Sequence, residues 1–394
     1  MTTDKVKKSF NKLRTYCEQA EFKGFDPYDG LNSSVFKKIP LINNSYIARL
    51  VWIQFFKRSP INMRKIAGIK PDYNPKALGL FLSAYCNLYQ HEQTEDNINK
   101  INYFIRKINS SITKGYAGAC WGYNFDWQSK AFFQPKNTPT IVASSFIANS
   151  LLDAYEITKD ETLIQTARST CNFILKDLNR TNGIDNTIAF SYSPLDNSVV
   201  YNASLLGARL LARTYFYTKE DILIDTAKKA VKYCCSKQHE NGSWSYGAHS
   251  FHKWIDNFHT GYNLECISDY MHYSNDKSFE GSLDRGYYYY IKNFFNEKGM
   301  SNYYNHSTYP IDIHSPSQLI ITLKKLGKIE EKKVLLDQVL NWTIDKMQSK
   351  KGYFYYQINK YFTSKIPYMR WSQAWMFLSM SIYLTHFLPK SENI

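Results

Sequence analysis

One pattern repeats along this chain and restricts its fold more than any other feature. Apolar segments with helical spacing recur at 138–158, 198–218, 256–274, 312–327 and 369–385. Their ends at Thr158, Thr218, Ser274, Gly327 and Thr385 lie 60, 56, 53 and 58 residues apart. A charged amphipathic segment follows each of the first four, near 160–180, 219–239, 277–296 and 329–348. The first set (SSFIANSLLDAY, AWMFLSMSIYL) is apolar nearly all round and must be buried, whereas the second carries Lys and Glu on one face and meets water. Two concentric rings of helices satisfy both conditions. Residues 75–89 with 93–113 supply an earlier pair, and residues 4–20 a helix that closes the ring against the last inner helix. The expected fold is therefore all-α, an (α/α)6 toroid with inner helices starting near 77, 138, 199, 256, 312 and 369. Residues 1–394 are expected to form one toroid domain, with 1–74 as an N-terminal helix and loop segment. Each outer helix is followed by a glycine (Gly115, Gly183, Gly242, Gly299, Gly352) and a short aromatic loop or hairpin; these glycines are expected to end helices at positive φ.

Composition narrows the class. The 394 residues carry 49 Lys and Arg against 34 Asp and Glu, a net charge of +15, with the apolar share of an ordinary globular protein. No apolar run approaches the roughly 20 residues that span a bilayer, and the N-terminus lacks the apolar core of a secretory signal. Seven scattered cysteines form no disulfide framework and fit a reducing cytoplasm. The positive charge is either compositional habit or an attraction to a polyanion: nucleic acid, an acidic polysaccharide or a lipid surface. Without zinc-finger spacing, RNP-like strand or basic arm, nucleic acid is not expected. An acidic sugar polymer is the most useful specific alternative.

The repeat resembles the α/α-toroid superfamily of six-hairpin glycosidases, sugar 2-epimerases and prenyltransferase-repeat proteins. Gln238-x3-Gly242-x-Trp244 matches the QxxxGxW repeat of terpenoid cyclases, and Gln348-x3-Gly352-x-Phe354 half matches it. GFDPYDGLNS, CWGYNFDWQS, WIDNFHTGYNLE and RWSQAW look like toroid proteins encoded in bacterial exopolysaccharide and capsule clusters. That second resemblance covers almost the whole chain and implies a role in surface-polysaccharide production or modification.

In such a fold the loops entering the inner helices ring one mouth, and loops on a rigid scaffold commonly carry function. In Trp254-Ile-Asp256-Asn257-Phe-His259, Asp256 or Asn257 can cap the following helix and sets a carboxylate beside an imidazole in its first turn, where the dipole favours a neutral base. Asp312-Ile-His314 repeats the arrangement one unit later, with Gln318 a turn on. Either cluster can instead be a helix cap beside a structural histidine. Trp121, Tyr123, Asp126, Trp127 and Gln128 combine sugar-stacking rings with hydroxyl-bonding groups; packing of an aromatic loop is the alternative. Asp26, Tyr28, Asp29 and Asn32 lie in a turn that the family resemblance singles out as a lid or floor. Arg370, beside Trp371 and Gln373, either clamps an anion or pairs with an internal Asp, and Lys76 carries the same ambiguity. Tyr192, Tyr246, Tyr303 and Tyr309 fall in mouth loops.

Three functions compete. In the first, His259 abstracts the proton α to a uronate carboxylate, Arg370 or Lys76 with Asn257 stabilises the enolate-like charge, and a mouth-loop tyrosine is the acid. Reprotonation then gives an epimerase and elimination a lyase. In the second, a glycoside hydrolase uses Asp126 with Asp29 or Asp256. The third is a non-catalytic glycan-binding assembly protein. No metal site is expected, since no HxxxH or HxxEH spacing occurs, and no cofactor, since no Walker loop or GxGxxG fingerprint is present.

Overall fold

The computed structural model of the protein describes residues 2–130 and 132–389. The chain opens with α1 (Thr2–Gln19) and, after three single-turn helices, α2 (Tyr46–Arg58). Four inner–outer pairs follow: α3 (Pro75–His91) and α4 (Glu95–Ser110), α5 (Ile141–Thr158) and α6 (Glu161–Lys176), α7 (Tyr201–Thr218) and α8 (Asp221–Cys235), α9 (Asn257–Ser274) and α10 (Glu280–Phe294). A fifth pair, α11 (His314–Lys325) and α12 (Lys333–Met347), precedes the last inner helix, α13 (Trp375–Phe387). Each inner helix packs on the next, and α13 packs back on α3, so the inner ring is closed. Helix α1 packs on both α12 and α13 and is the outer partner of the last inner helix. The fold is the all-α toroid that the repeat predicts.

The spacing of apolar residues accounts for the two rings. Helices α5 and α7 bury nearly every position of their first three turns, whereas α6 and α8 bury only one stripe. Three successive inner helices each end on a left-handed residue, Lys159, Lys219 and Asn275 (φ 56°, 57° and 57°). Two details differ from expectation. Gly183 is extended (φ −112°), and the left-handed turn there is made by Asp185 and Asn186. The last inner helix begins as a π-helical turn, Met369–Ala374, so regular α-helix starts later than the sequence spacing implies.

The Gln-x3-Gly-x-aromatic elements join outer helices. Gln238 Nε2 donates to the Gly242 and Ser282 carbonyls, and Gln348 Nε2 donates to those of Gly352 and Ser9. Gly242 (φ +90°) and Gly352 (φ +97°) each lie where a Cβ would meet a carbonyl oxygen of the following outer helix at 2.3 Å, from Arg285 and Lys12 respectively. The second joint is the first one repeated across the chain termini, and it locks α1 into the ring.

Toward the C-terminal ends of the inner helices, charged side chains form a buried network. Arg209 Nε lies 2.6 Å from Asp269 and Arg213 Nη1 lies 2.7 Å from Asp153. Glu265 accepts from Thr322 at 3.1 Å and from Gln318. Burial raises the Glu265 carboxyl to about 7, although Arg209 and Lys325 oppose the shift. Folded Glu265 holds its proton up to that pH, whereas the unfolded chain releases it near the ordinary value of 4.5. Raising the pH through this window therefore favours unfolding. Glu265→Gln should flatten the fall in Tm between about pH 5 and 7 and leave the variant more stable than the wild type at alkaline pH. A variant whose Tm falls as steeply as the wild type would exclude Glu265 as the source.

Candidate active site

Side chains at the helix starts place the polar groups of the mouth. Asn74 accepts the Lys76 amide at 3.1 Å, Asp256 Oδ1 accepts the His259 amide at 3.0 Å, and Asp312 Oδ1 accepts the His314 amide at 2.8 Å. Lys76, His259 and His314 thus sit in the first turns of α3, α9 and α11. Together with Val142, Asn202 and Arg370 from the other three inner helices, they line one cavity of about 550 Å³. Six inner-helix N-termini converge there, and each carries the positive end of a helix dipole.

His259 is the best-positioned proton acceptor. Asp256, 2% exposed, receives the His259 Nδ1–H at 2.7 Å and the Trp254 Nε1–H at 2.9 Å on Oδ2. In the neutral ring that bond fixes the tautomer with the proton on Nδ1 and Nε2 as the acceptor, and Nε2 has no partner among the described residues. The Tyr246 ring stacks on Trp254 at 4.5 Å and lies 4.7 Å from the His259 ring. Phe258 separates the two imidazoles, 4.1 Å from His259 and stacked on His314 at 4.3 Å. His314 Nε2 pairs with the Tyr262 hydroxyl at 2.9 Å, and its buried Nδ1 has no partner. Burial holds the His314 imidazole well below its ordinary range, and the neighbouring basic groups of Lys76, His259 and Arg370 add to the effect.

Two further basic side chains, Lys76 and Arg370, line the cavity. The Lys76 Nζ lies over the ring faces of Phe146, Trp375 and Tyr262, at 4.1, 5.1 and 5.3 Å, and no carboxylate pairs with it among the described residues. Burial first, and Arg370 second, push this amine well below the usual lysine range. Arg370 meets Asp26 in a fork, with Nε 2.6 Å from Oδ2 and Nη2 2.8 Å from Oδ1. Of the two roles open to Arg370 from the sequence, the internal Asp partner is the one observed. Asp26 is joined to Asp29, whose Oδ2 accepts the Asp26 amide at 2.9 Å and whose Oδ1 accepts from buried Arg64 at 2.6 Å. Burial raises the Asp29 carboxyl to about 6 against the pull of Arg64.

The other expected site residues divide into two groups. Tyr28, Tyr123, Trp127, Gln128, Tyr192, Tyr246, Trp254 and Trp371 line the cavity with the residues above. Asp312 stands behind Trp371, accepting its Nε1–H at 2.9 Å and the Gln357 amide at 2.6 Å. Several residues face into the wall instead. Trp121 donates to the Ile108 carbonyl, Asn32 to the Asn124 carbonyl, and Gln373 exchanges bonds with the Phe354 backbone. Asn257 accepts from Tyr290, and Gln318 bonds Glu265. Asp126 lies outside the cavity lining, bound to the Lys136 amide at 2.7 Å and 3.5 Å from Lys37. No Asp or Glu lines the cavity among the described residues.

Sequence reading missed α2, which it left inside a loop segment. This helix adds Leu50, Ile53 and Lys57 to the cavity wall, and Lys57 donates to the Tyr28 hydroxyl at 3.0 Å. The available signal was Ser45, whose side chain caps YIARLVWIQFFKR. Tyr262 was also missed; its signal is a spacing of one helical turn from His259.

A scan against protein-family models gives no match, and a search of the curated proteins gives none either. Solved structures do match the fold. A cellobiose 2-epimerase from Bacillus thermoamylovorans B4167 superposes with a TM-score of 0.63 at 12% identity, covering 79% of this chain and 87% of its own. A polysaccharide lyase gives 0.62 at 10% identity over 98% of both chains. A GH76 α-mannanase from Bacteroides thetaiotaomicron gives 0.59 at 12% identity, covering 79% of this chain and 86% of its own. The shared architecture is the α/α toroid.

Proposed function

We propose that the protein is a carbohydrate-active enzyme that removes the C5 proton of a uronate in an acidic glycan, as an epimerase or a lyase. One observation carries this reading: the cavity presents imidazole, phenol, amine and guanidinium groups but, among the described residues, no carboxylate. A uronate C5–H is weakly acidic, so its removal needs a base on C5 and positive charge on the carboxylate. His259 Nε2 takes the proton as the C–H electron pair moves toward C6. Lys76, Arg370 and the converging helix N-termini stabilise the resulting charge on the carboxylate oxygens. A mouth-loop tyrosine, Tyr192, returns a proton to the opposite face in epimerisation. In a lyase the C4–O bond breaks instead, and the departing oxygen takes the proton. Ring faces such as Trp127 and Trp254 supply stacking surfaces for sugars. The resemblance to toroid proteins of polysaccharide clusters supports surface-polysaccharide metabolism as the setting.

The paired-carboxylate hydrolase is less well supported, because Asp126 lies outside the cavity lining and Asp29 is tied to Arg64. The test is proton–deuterium exchange, followed by NMR in D2O on a panel of uronate polysaccharides. Loss of the C5 proton signal is expected with the wild type and not with His259→Ala. No exchange on any member of the panel would sink the proton-abstraction reading.

A further inference from the structure

The segment between Leu31 and Pro71 covers part of the mouth, and its outer surface is unusual. It contains eight Lys and Arg and no Asp or Glu. Helix α2 buries Ile53 and Phe56 on the protein side. Its solvent side carries Ile47, Val51 and Phe55, spaced by four residues and so aligned in one stripe. Leu41, Ile61 and Ile66, in the flanking turns, are also exposed. These six side chains are 50% to 90% accessible. A helix that is apolar on both faces is normally covered on both. Lys38, Arg58, Lys65 and Lys70, in the same segment, are exposed as well.

We infer that this surface docks on an anionic phospholipid bilayer, with the aliphatic stripe in the headgroup region and the lysines against lipid phosphates. Aliphatic side chains beside unopposed cations are what interfacial binding requires. Among the described residues no helix is long and apolar enough to cross a membrane, so the contact is peripheral. A second copy of this chain fits less well: a two-fold interface through this surface would set the same cations against themselves. Because α2 also lines the cavity, docking brings the mouth to the lipid surface. This inference does not depend on the chemistry proposed for the cavity.

The test is sedimentation of the full chain with vesicles of phosphatidylglycerol and phosphatidylcholine, compared with phosphatidylcholine alone. The protein should sediment with the anionic vesicles and stay in solution with the neutral ones. L41Q/I47Q/V51Q, which leaves charge and core unchanged, should weaken binding by at least about tenfold, with melting temperature and monomer mass unaltered. K38Q/K65Q/K70Q should weaken it by about a hundredfold at low salt. Failure to bind anionic vesicles, or equal binding by the aliphatic variant, would overturn the inference. So would a dimer in light scattering that the aliphatic variant dissociates, which would assign the surface to a second copy.

Discussion

His259→Ala should lower turnover on the acidic glycan by about 10²–10⁴-fold with little change in KM, the loss expected for a positioned general base. Asp256→Asn should come close to it, although Asn is as good a helix cap as Asp. The carboxylate serves three donors: the His259 amide on Oδ1, and both the His259 ring and the Trp254 indole on Oδ2. An Asn amide group placed at Oδ2 would leave the indole unpaired and donate to Nδ1, driving the ring proton to Nε2, where the base must be bare. The opposite flip would restore the tautomer but present N–H₂ to the helix amide. Neither orientation satisfies the site. Steady-state kinetics of both variants beside thermal melting separate loss of chemistry from loss of fold. A His259→Ala enzyme within about threefold of wild-type turnover would remove His259 from the mechanism.

Asp26→Ala should be the most destabilising of these substitutions, by about 3–5 kcal/mol in denaturant unfolding. It would strand the Arg370 guanidinium, 4% exposed, without a counter-charge. Burial opposes the charge on Arg370, and the Asp26 carboxylate more than offsets it, holding the guanidinium above its ordinary range. Asp26 also joins the N-terminal turn to the last inner helix, across a separation of 344 residues. Removing both partners in D26L/R370M should cost clearly less than the two single changes summed, since no unpaired charge then remains. Additive costs would mean that the fork contributes no coupling. Activity should fall in Arg370→Met even where the fold survives, because the cavity loses fixed positive charge.

The toroid was legible in the sequence for a simple physical reason. A helix such as α5, apolar on every face, and one such as α6, polar on one, can be satisfied together only in nested layers, and five repeats announce a ring. Capping is equally local, so Asp256 identified a helix start and the turn that holds His259, whereas Asp312 lies one residue before the cap position and bonds the His314 amide from the preceding strand. Helix α2 was not legible, because its apolar residues face both the protein and the solvent, and the pattern that marks an amphipathic helix is absent.

Pairings between distant residues depended on the closed ring. Nothing in the local sequence tells that Asp26 meets Arg370, that Tyr262 reaches His314, or that Gln348 repeats at Ser9 what Gln238 does at Ser282. The same holds for exclusion: Asp126 and Trp127 are neighbours in the chain, yet only Trp127 lines the cavity. Periodicity, capping and net charge act over a few residues or over the whole composition, so the sequence by itself determined the architecture, the mouth and the basic character. Which carboxylates are tied up in the wall, and which nitrogens are left facing the cavity, was decided only when ring closure brought six helix N-termini together.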